Sequence, residues 1–423
     1  MSGQIGNNIL RVSGVIAATA AGLNWVSTVV TASTLTAEAG NGYFINTTSN
    51  TCTITLPSSA EAGDQIVLMD YLRTWGTNKI IIDSNGLNYQ GQDDTYTVEY
   101  DTNGETLNIV YSGATQGWIP LDDDVVADVP VRPPTQKGIF VYGQTHSISN
   151  LVSSSGVVAS DTAGIAGGAR DAAASEYGGD KGIIAFGKAG GGPGNVSNLI
   201  TNAGVVGADV TGVGTARSNI AACAFGGDKC IFAYGETASP VNVSNLVSNA
   251  GVVATDSTGV GTARYITYGT EYGVDKGIFA YGFDGSRLSM SNKVSNTGVV
   301  ATDTGGVGTA RNGPGACGYG TDTAIFAYGH SGSALLSVSN KVSNTGVVAS
   351  DVSGVGTVRV YPGATEYGGD KGIFAYGNVS SSGPASGTAI SNLVSNSGVI
   401  ASDTAGVGTA RWMPSSCGYS ITA

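Results

Sequence analysis

The chain has 423 residues, a length that predicts two or three domains. Glycine contributes 66 residues and charged residues only 12 %, a composition that argues against long helices and favours a β-rich fold with many turns. The net charge is −12, of which −10 falls within residues 1–136, where 4 Lys/Arg face 14 Asp/Glu. Without a basic patch the chain is not expected to bind nucleic acid. Without an apolar run of about 20 residues it is not expected to insert into a membrane.

The first 121 residues fall into two parts. Residues 1–25 are small and weakly patterned, which predicts a tether onto another component rather than a folded domain. Residues 26–121 contain six predicted strands followed by Trp118. The strands cover residues 43–45, 52–57, 65–69, 79–82, 96–100 and 106–111. With Asn85-Gly86 and Asn103-Gly104 as turns, they predict a small β-sandwich.

A tandem repeat occupies the rest of the chain, after a linker. Residues 122–136, three aspartates followed by prolines, predict an extended and fairly stiff linker. From residue 137 onward the motif KGIFAYG occurs six times with small changes. Its isoleucine stands at Ile139, Ile183, Ile231, Ile278, Ile325 and Ile373. A fixed period of 44 to 48 residues is typical of a repeat architecture.

Each repeat predicts four short strands, A to D, separated by turn residues. In the repeat that follows Arg311, a small-residue strand A ends at Tyr319, and strand B covers 324–328. Strand C covers 338–343 and strand D covers 347–350. Tandem four-stranded units of this size are typical of β-propeller blades. One arginine follows each strand D, which gives six blades: Arg170, Arg217, Arg264, Arg311, Arg359 and Arg411.

The two ends of the repeat region complement each other. The first repeat begins at strand B, Lys137, with no strand A before it, whereas residues 416–421 form a strand A with no strand B after it. Pairing of these ends would close the ring and remove exposed sheet edges. The arginine, the small-residue strand, the Gly-x-Asp turn and the Ile-Phe-x-Tyr-Gly strand resemble the kelch-type propeller repeat over residues 137–423. The chain departs from kelch in having one glycine after strand B and Val-Val, not tryptophan, in strand D.

The N-terminal β unit carries a second resemblance. The segments GYFINTTSNTCTITLPSSAEAGDQI, IIIDSNGLN and LNIVYSGATQGWIP, in that order, resemble a β domain near the N-terminus of tailed-phage fibre and other virion proteins. The resemblance implies a protein on the virion surface, attached to the particle through residues 1–25, with the propeller at the distal end. Fibre proteins are commonly trimeric, which makes a homotrimer an expectation, although the chain has no coiled-coil heptads.

Variation among the repeats predicts a binding face. The A–B and C–D turns hardly vary, whereas the B–C loops and the D–A residues differ in length and content. Both variable sets are expected on one face, because strands in a blade run antiparallel, and loops on a rigid scaffold commonly carry recognition. Aromatic and polar residues there suit sugar rings or a protein receptor. The predicted ligand-binding residues are Tyr265, Phe283, Arg287, His330, Tyr361 and Trp412.

Three glutamates form a weaker candidate site. Glu176, Glu271 and Glu366 alternate with small residues in strand A, which suggests blade pairs with three carboxylates near a central channel. They are a weak candidate for a cation site, and pairing with the arginines is the preferred interpretation. No cofactor is expected, because no Cys/His spacing or Ser-His-Asp arrangement occurs.

Three functions follow from these patterns. The preferred one is a non-enzymatic virion fibre or spike that binds a host-surface glycan or protein. The second is a structural or capsid decoration protein without a ligand. The third is a glycan-cleaving enzyme, because residues 401–409 resemble the Asp-box turn of sialidase propellers but lack its aromatic residue.

Overall fold

The computed structural model is all-β. It describes residues 9–12, 15–18, 23–95, 98–121, 134–144, 146–163, 171–189, 191–381 and 386–423. Within these ranges the chain contains no α-helix, and hence none long and apolar enough to cross a membrane. The chain divides into two compact units, Met1–Pro133 and Pro134–Ala423. Most of the expected tether, residues 122–133 of the linker and Arg170 lie outside the described residues.

The described residues of the first unit form eleven strands. They are Ile9–Val12 (β1), Val15–Ala18 (β2), Asn24–Trp25 (β3), Thr34–Thr36 (β4), Asn41–Ile45 (β5), Cys52–Thr55 (β6), Gln65–Asp70 (β7), Ile80–Asp83 (β8), Val98–Tyr100 (β9), Thr106–Tyr111 (β10) and Trp118–Pro120 (β11). β1 and β2 pair with each other, and the others form a five-stranded sheet, β11-β10-β7-β5-β3, and a four-stranded sheet, β4-β6-β8-β9. All six predicted strands are present, because their alternating apolar residues enter one core that both sheets contribute to.

The connections in the first unit differ from the hairpins that the turn residues indicated. The chain passes from one sheet to the other between β3 and β8, so that β5 pairs with β7, and β6 with β8, in parallel. Asn103-Gly104 links β9 to β10, which belong to different sheets. Gly104 does have the positive φ expected of a turn, +83°. The local turn was therefore predicted correctly, and it joins two sheets and not two paired strands, because a turn dipeptide does not specify which strand its neighbour pairs with.

The second unit has twenty-one strands in six repeated sheets and one two-stranded ribbon. They are Lys137–Val141 (β12), Ile148–Val152 (β13), Thr162–Ala163 (β14), Ala173–Tyr177 (β15), Lys181–Ala185 (β16), Lys188–Ala189 (β17), Gly192–Pro193 (β18), Ser197–Ile200 (β19), Ala221–Phe225 (β20), Lys229–Ala233 (β21), Ser244–Val247 (β22), Tyr268–Tyr272 (β23), Lys276–Ala280 (β24), Ser291–Val294 (β25), Gly315–Tyr319 (β26), Thr323–Ala327 (β27), Ser339–Val342 (β28), Gly363–Tyr367 (β29), Lys371–Ala375 (β30), Ser391–Val394 (β31) and Ser415–Tyr419 (β32).

Strand B is the centre of every repeated sheet. It pairs antiparallel with strand A on one side and strand C on the other, as β27 does with β26 and β28. Its Ile-Phe core is fully buried, for example at Ile325 and Phe326, both 0 % exposed. A strand with neighbours on both edges and side chains packed on both faces has to be apolar throughout, which is why this motif repeats with so little change.

The predicted fourth strand is reduced to isolated bridges in five of the six sheets, and only the first sheet has a short one, β14. In the fifth sheet, Val342 bridges Val348 and Ser339 bridges Val352. Between these bridges the side chain of Asn340 donates to the carbonyl of Ala349 at 2.9 Å. The predicted fourth short strand is therefore present only as bridges, because a buried asparagine replaces part of the C–D backbone ladder.

The last strand pairs with the first strand of the second unit. β32 lies antiparallel to β12 with Cys417 opposite Ile139, so the C-terminal segment supplies the strand A that the first repeat lacks. At the A–B turns, a residue with φ near +60° in each sheet donates its backbone N–H to a carbonyl of the next sheet. The six bonds run from Gly178 to Asp228, Gly226 to Asp275, Gly273 to Asp322, Gly320 to Asp370, Gly368 to Gln136 and Ser420 to Asp180. Every sheet is thus bonded to the next, and the last to the first.

Candidate ligand-binding site at the mouth of the central cavity

Strand A of all six sheets lines a shared cavity. A space of about 80 Å³ lies among the first two residues of these strands, and most of those residues are Ala, Gly or Ser. Tyr268 is the exception, at the position where the other repeats carry Ala173, Ala221, Gly315, Gly363 and Ser415. One large side chain therefore projects from a wall of small ones. Burial, with smaller contributions from Tyr361 and Asp171, raises the pKa of Tyr268 well above its ordinary value.

A ring of left-handed residues surrounds the outer end of this cavity, which we call the mouth. Each residue lies just before strand A and has φ between 52° and 63°. They are Asp171, Asn219, Ile266, Gly313, Tyr361 and Met413. From Asn219 to Met413, each donates its backbone N–H to the carbonyl of the preceding member at 2.8 to 3.2 Å. The backbone at the mouth is thereby held firmly while its side chains differ in every repeat.

The D–A residues and the B–C loops meet at this mouth. Ser218 bridges Glu236, Tyr265 bridges Phe283, and Asn312 bridges His330. Each bridge is a pair of backbone hydrogen bonds, such as those between Tyr265 and Phe283 at 2.9 and 3.0 Å. The two variable sets of residues therefore share one end of the sheets, as the antiparallel strand order requires.

Four of the six predicted ligand-binding residues form one cluster. The rings of Tyr265 and Phe283 meet edge to face with centroids 5.5 Å apart. The guanidinium of Arg287 lies 5.1 Å from the Phe283 ring centroid, and its Nη2 is 3.4 Å from Nδ1 of His330 in the next sheet. All four side chains are half-buried. The cluster combines aromatic rings with hydrogen-bond donors, and this combination is typical of sites that bind small ligands.

Tyr361 is the fifth predicted residue and is electrostatically coupled to the cluster. Its ring packs against Gly313, where an added Cβ would lie 2.6 Å from the ring. Burial raises the pKa of Tyr361 to about 12, the charges of Asp171 and Glu236 add to the rise, and Arg287 opposes it. The hydroxyl therefore remains protonated and available as a donor at neutral pH.

Four polar residues at the mouth were not singled out from the sequence, although all four fall in the variable segments. Nζ of Lys188 lies 3.3 Å from a carboxylate oxygen of Asp171 and 3.8 Å from one of Glu236. Asn219 donates to Glu236 at 2.7 Å. Only their proximity in three dimensions marks them, because they come from two different repeats.

Trp412 occupies another part of the mouth. Its backbone carbonyl lies beside Gly143, in the loop after β12, and its neighbours Met413 and Pro414 line the cavity. The structure therefore groups five of the six residues, and it places the backbone of Trp412 next to the loop after β12.

The three glutamates of strand A line a second space of about 60 Å³, deeper in the same cavity. Glu176 accepts a hydrogen bond from Thr135 Oγ1 at 2.9 Å, and Glu366 accepts one from the backbone N–H of Gly318 at 3.0 Å. These two contacts are with a hydroxyl and a backbone N–H, whereas the preferred interpretation was pairing with arginines, which stays a prediction. No group of three His, Cys, Asp or Glu side chains in the described part of the chain is arranged to hold a metal ion.

The repeated arginines instead form buried bridges within the sheets. Nη2 of Arg311 donates to Oδ1 of Asn340 at 2.7 Å, and Nη1 lies 4.0 Å from Asp351. The guanidinium also lies 3.7 Å from the ring centroid of Tyr281 in the preceding sheet. The same arrangement occurs around Arg217, Arg264, Arg359 and Arg411. These contacts bury the arginines among the sheets, and we interpret the arginines and their aspartates as structural residues.

The aspartates of these bridges make stability depend on acid. Burial alone would raise the pKa of Asp351, but hydrogen bonds from Thr309 and Asn340 and the charge of Arg311 lower it below 3.8. Asp161, Asp256, Asp303 and Asp403 are shifted in the same direction. A depressed folded-state pKa contributes stability above the unfolded value, which is lost as pH falls through the folded value. We expect the urea midpoint to fall steeply below about pH 4.

Asp351→Asn is the matched control for this acid effect. It removes one titrating group while keeping the side-chain shape, so its urea midpoint should fall less with pH than that of the wild type. Parallel curves for the two proteins would contradict the assignment of acid sensitivity to these bridges.

The comparisons with known proteins do not identify a family for this chain. No protein-family model matches the sequence, and no curated protein matches it significantly.

Proposed function

We propose that the second unit is a six-bladed, kelch-like β-propeller closed by its C-terminal strand. Six sheets of the same strand order, the cycle of hydrogen bonds at the A–B turns and the pairing of β32 with β12 support this proposal. In such a ring strand A is innermost, which agrees with the cavity that these strands line. The mouth is then one end of the central channel.

The protein's proposed function is recognition of a host-surface glycan or protein at this mouth, without catalysis. The observation that carries the proposal is the cluster of Tyr265, Phe283, Arg287 and His330 with Tyr361 beside it. Aromatic side chains supply large contact areas at low entropic cost, and such residues together with arginine dominate the energetics of many interfaces. Because most of the surrounding residues are small, these side chains are the ones that a ligand would contact.

The proposed setting is the surface of a tailed-phage virion, as a fibre or spike. It rests on the resemblance of residues 26–121 to a fibre-protein domain, with residues 1–25 as the attachment to the particle and a homotrimer as the expected assembly. A decoration protein without a ligand is the alternative. The chemistry at the mouth favours the binding function over it, because a packing module has no need of clustered donors and aromatic rings.

Binding assays with the full chain test the function. Labelled protein is applied to a glycan array and to a panel of bacterial cells, and Phe283→Ala and Tyr361→Asn are compared with the wild type. Asn is chosen because it tolerates the positive φ of Tyr361. Each variant should bind about tenfold more weakly or worse, since hot-spot truncations cost about 2 kcal/mol or more.

The control for this comparison is Tyr71→Ala, which removes a half-exposed aromatic of the first unit. Unchanged binding by Phe283→Ala and Tyr361→Asn would reject the mouth as the binding face. Absence of binding to every cell and glycan would favour the decoration protein, and release of free sugar from a bound glycan would favour the enzyme.

A further inference from the structure

Arg287 differs from the other arginines of the second unit. Five of the six that the structure describes bind an asparagine of strand C and pack on an aromatic ring of the preceding sheet. Arg287 comes from a B–C loop and contacts the Phe283 ring and His330. No carboxylate among the described residues lies within ion-pair distance of it. An arginine held at a cavity mouth without a counter-ion is available to an anionic ligand.

The position of the guanidinium is well supported. Phe283 lies to one side, and Gly332 of the next sheet approaches so closely that an added Cβ would be 3.1 Å from Nη1. Like the Nε atoms of Arg264, Arg311 and Arg359, the Nε atom of Arg287 is buried and has no hydrogen-bond partner, but only Arg287 belongs to a B–C loop. A buried donor without a partner is costly, and a bound carboxylate would satisfy it together with a terminal nitrogen, in the two-bond geometry that arginine forms with carboxylates.

His330 adds a donor next to Arg287. Its Nδ1 accepts the backbone N–H of Gly332 at 3.0 Å, so the neutral ring carries its proton on Nε2. Burial and the charge of Arg287 lower the pKa of His330 below 6.5, which keeps the ring neutral at pH 7. In its neutral form His330 therefore offers one N–H donor beside the guanidinium of Arg287.

The acidic side chains at the mouth are already engaged. Asp171 and Glu236 are held by Lys188, and Glu236 also accepts from Asn219. The mouth is therefore divided into a neutralised acidic sector and a cationic sector around Arg287. Between them the hydroxyl of Tyr361 and the edge-to-face rings of Tyr265 and Phe283 provide the polar and apolar contacts that a pyranose ring uses.

We propose that the ligand of the mouth is an acidic sugar, whose carboxylate binds Arg287 beside His330 and whose ring packs against Tyr265 and Phe283. This inference rests on the proposed function and narrows it from surface glycans in general to those that carry carboxylates. A sugar suits the site better than an acidic peptide, because the donors and rings form one compact cluster and not an extended row.

Calorimetric titration of the full chain tests the ligand class. The probes are sodium glucuronate and N-acetylneuraminate, with glucose and N-acetylmannosamine as neutral counterparts and triglutamate as an acidic peptide. We expect the acids to bind at millimolar concentration and about tenfold more tightly than the neutral sugars, as the loss of a charge-assisted pair implies. Equal binding of acids and neutral sugars, tighter binding of triglutamate, or no binding of either acid would overturn the inference.

Arg287→Gln separates this inference from the broader function. It keeps a polar side chain but removes the charge, and should lower affinity for the acids about tenfold more than it lowers affinity for the neutral sugars. Lys341→Gln is the matched control. It removes one positive charge, and the Nζ atom of Lys341 donates to the carbonyl of Ser397 in a turn that recurs in the repeats. If Phe283→Ala abolishes binding to cells or glycans and Arg287→Gln has no effect, the mouth remains the binding face and the acidic-sugar inference fails.

Discussion

Deletion of residues 415–423 is expected to prevent the second unit from folding to a stable, soluble form. The deletion removes β32, which pairs along its whole length with β12. It also removes the Ser420 N–H, which donates to the carbonyl of Asp180 in the next sheet. β12 would become an exposed edge, and unpaired edges promote association with other chains. The buried residues Ile139 and Phe140 would lose their cover as well.

Size-exclusion chromatography and urea unfolding measure this effect. The matched control deletes only Thr422 and Ala423, which lie beyond the Ser420 bond. That shorter deletion should elute and unfold like the wild type, whereas the longer one should aggregate or lose its cooperative transition. A monodisperse long deletion with an unchanged midpoint would show that the pairing of β32 with β12 is dispensable, and would remove the main support for a closed propeller.

Asp351→Ala is expected to lower the free energy of unfolding by about 1.5–3 kcal/mol, the usual range for loss of hydrogen bonds to a charged group. Arg311 is completely buried, with a side-chain exposure of 0 %. Asp351 is its carboxylate neighbour and also accepts from the backbone N–H and hydroxyl of Thr309. The substitution therefore leaves Arg311 without a neighbouring carboxylate. It also removes the hydrogen bonds from Thr309, which lies in the segment before strand A of the same sheet.

Urea denaturation measures this loss against two controls. Asp284→Ala removes an exposed loop aspartate whose carboxylate accepts a local bond from Ser286, and should change stability by less than about 0.5 kcal/mol. Thr309→Val tests the Asp351–Thr309 contact separately, because it removes the hydroxyl bond and keeps Arg311 paired. A loss for Asp351→Ala no larger than that for Asp284→Ala would mean that Arg311 is not dependent on its carboxylate.

The positions and partners of Trp412 and of the strand A glutamates could be predicted only in part from the sequence. Trp412 was predicted on the variable face, but position along a repeat does not tell which part of the mouth a repeat occupies. Glu176, Glu271 and Glu366 were placed near a channel, and they do line one space. Their partners, Thr135 Oγ1 and the Gly318 N–H, belong to other repeats or to the segment before the first repeat, and a period of 47 residues carries no information about such contacts.

The amino-acid sequence alone determined the period, the central strand of each sheet and the turns. These features depend on local causes: a strand covered on both faces must be apolar, as Ile325 and Phe326 are, and a turn with positive φ favours glycine, as at Gly320. Tertiary structure alone decided which side chains meet at the mouth and how far strand D extends. Arg287 and His330 come from neighbouring sheets and Asn340 displaces backbone bonds in its own, and such contacts arise only when separate segments are packed together.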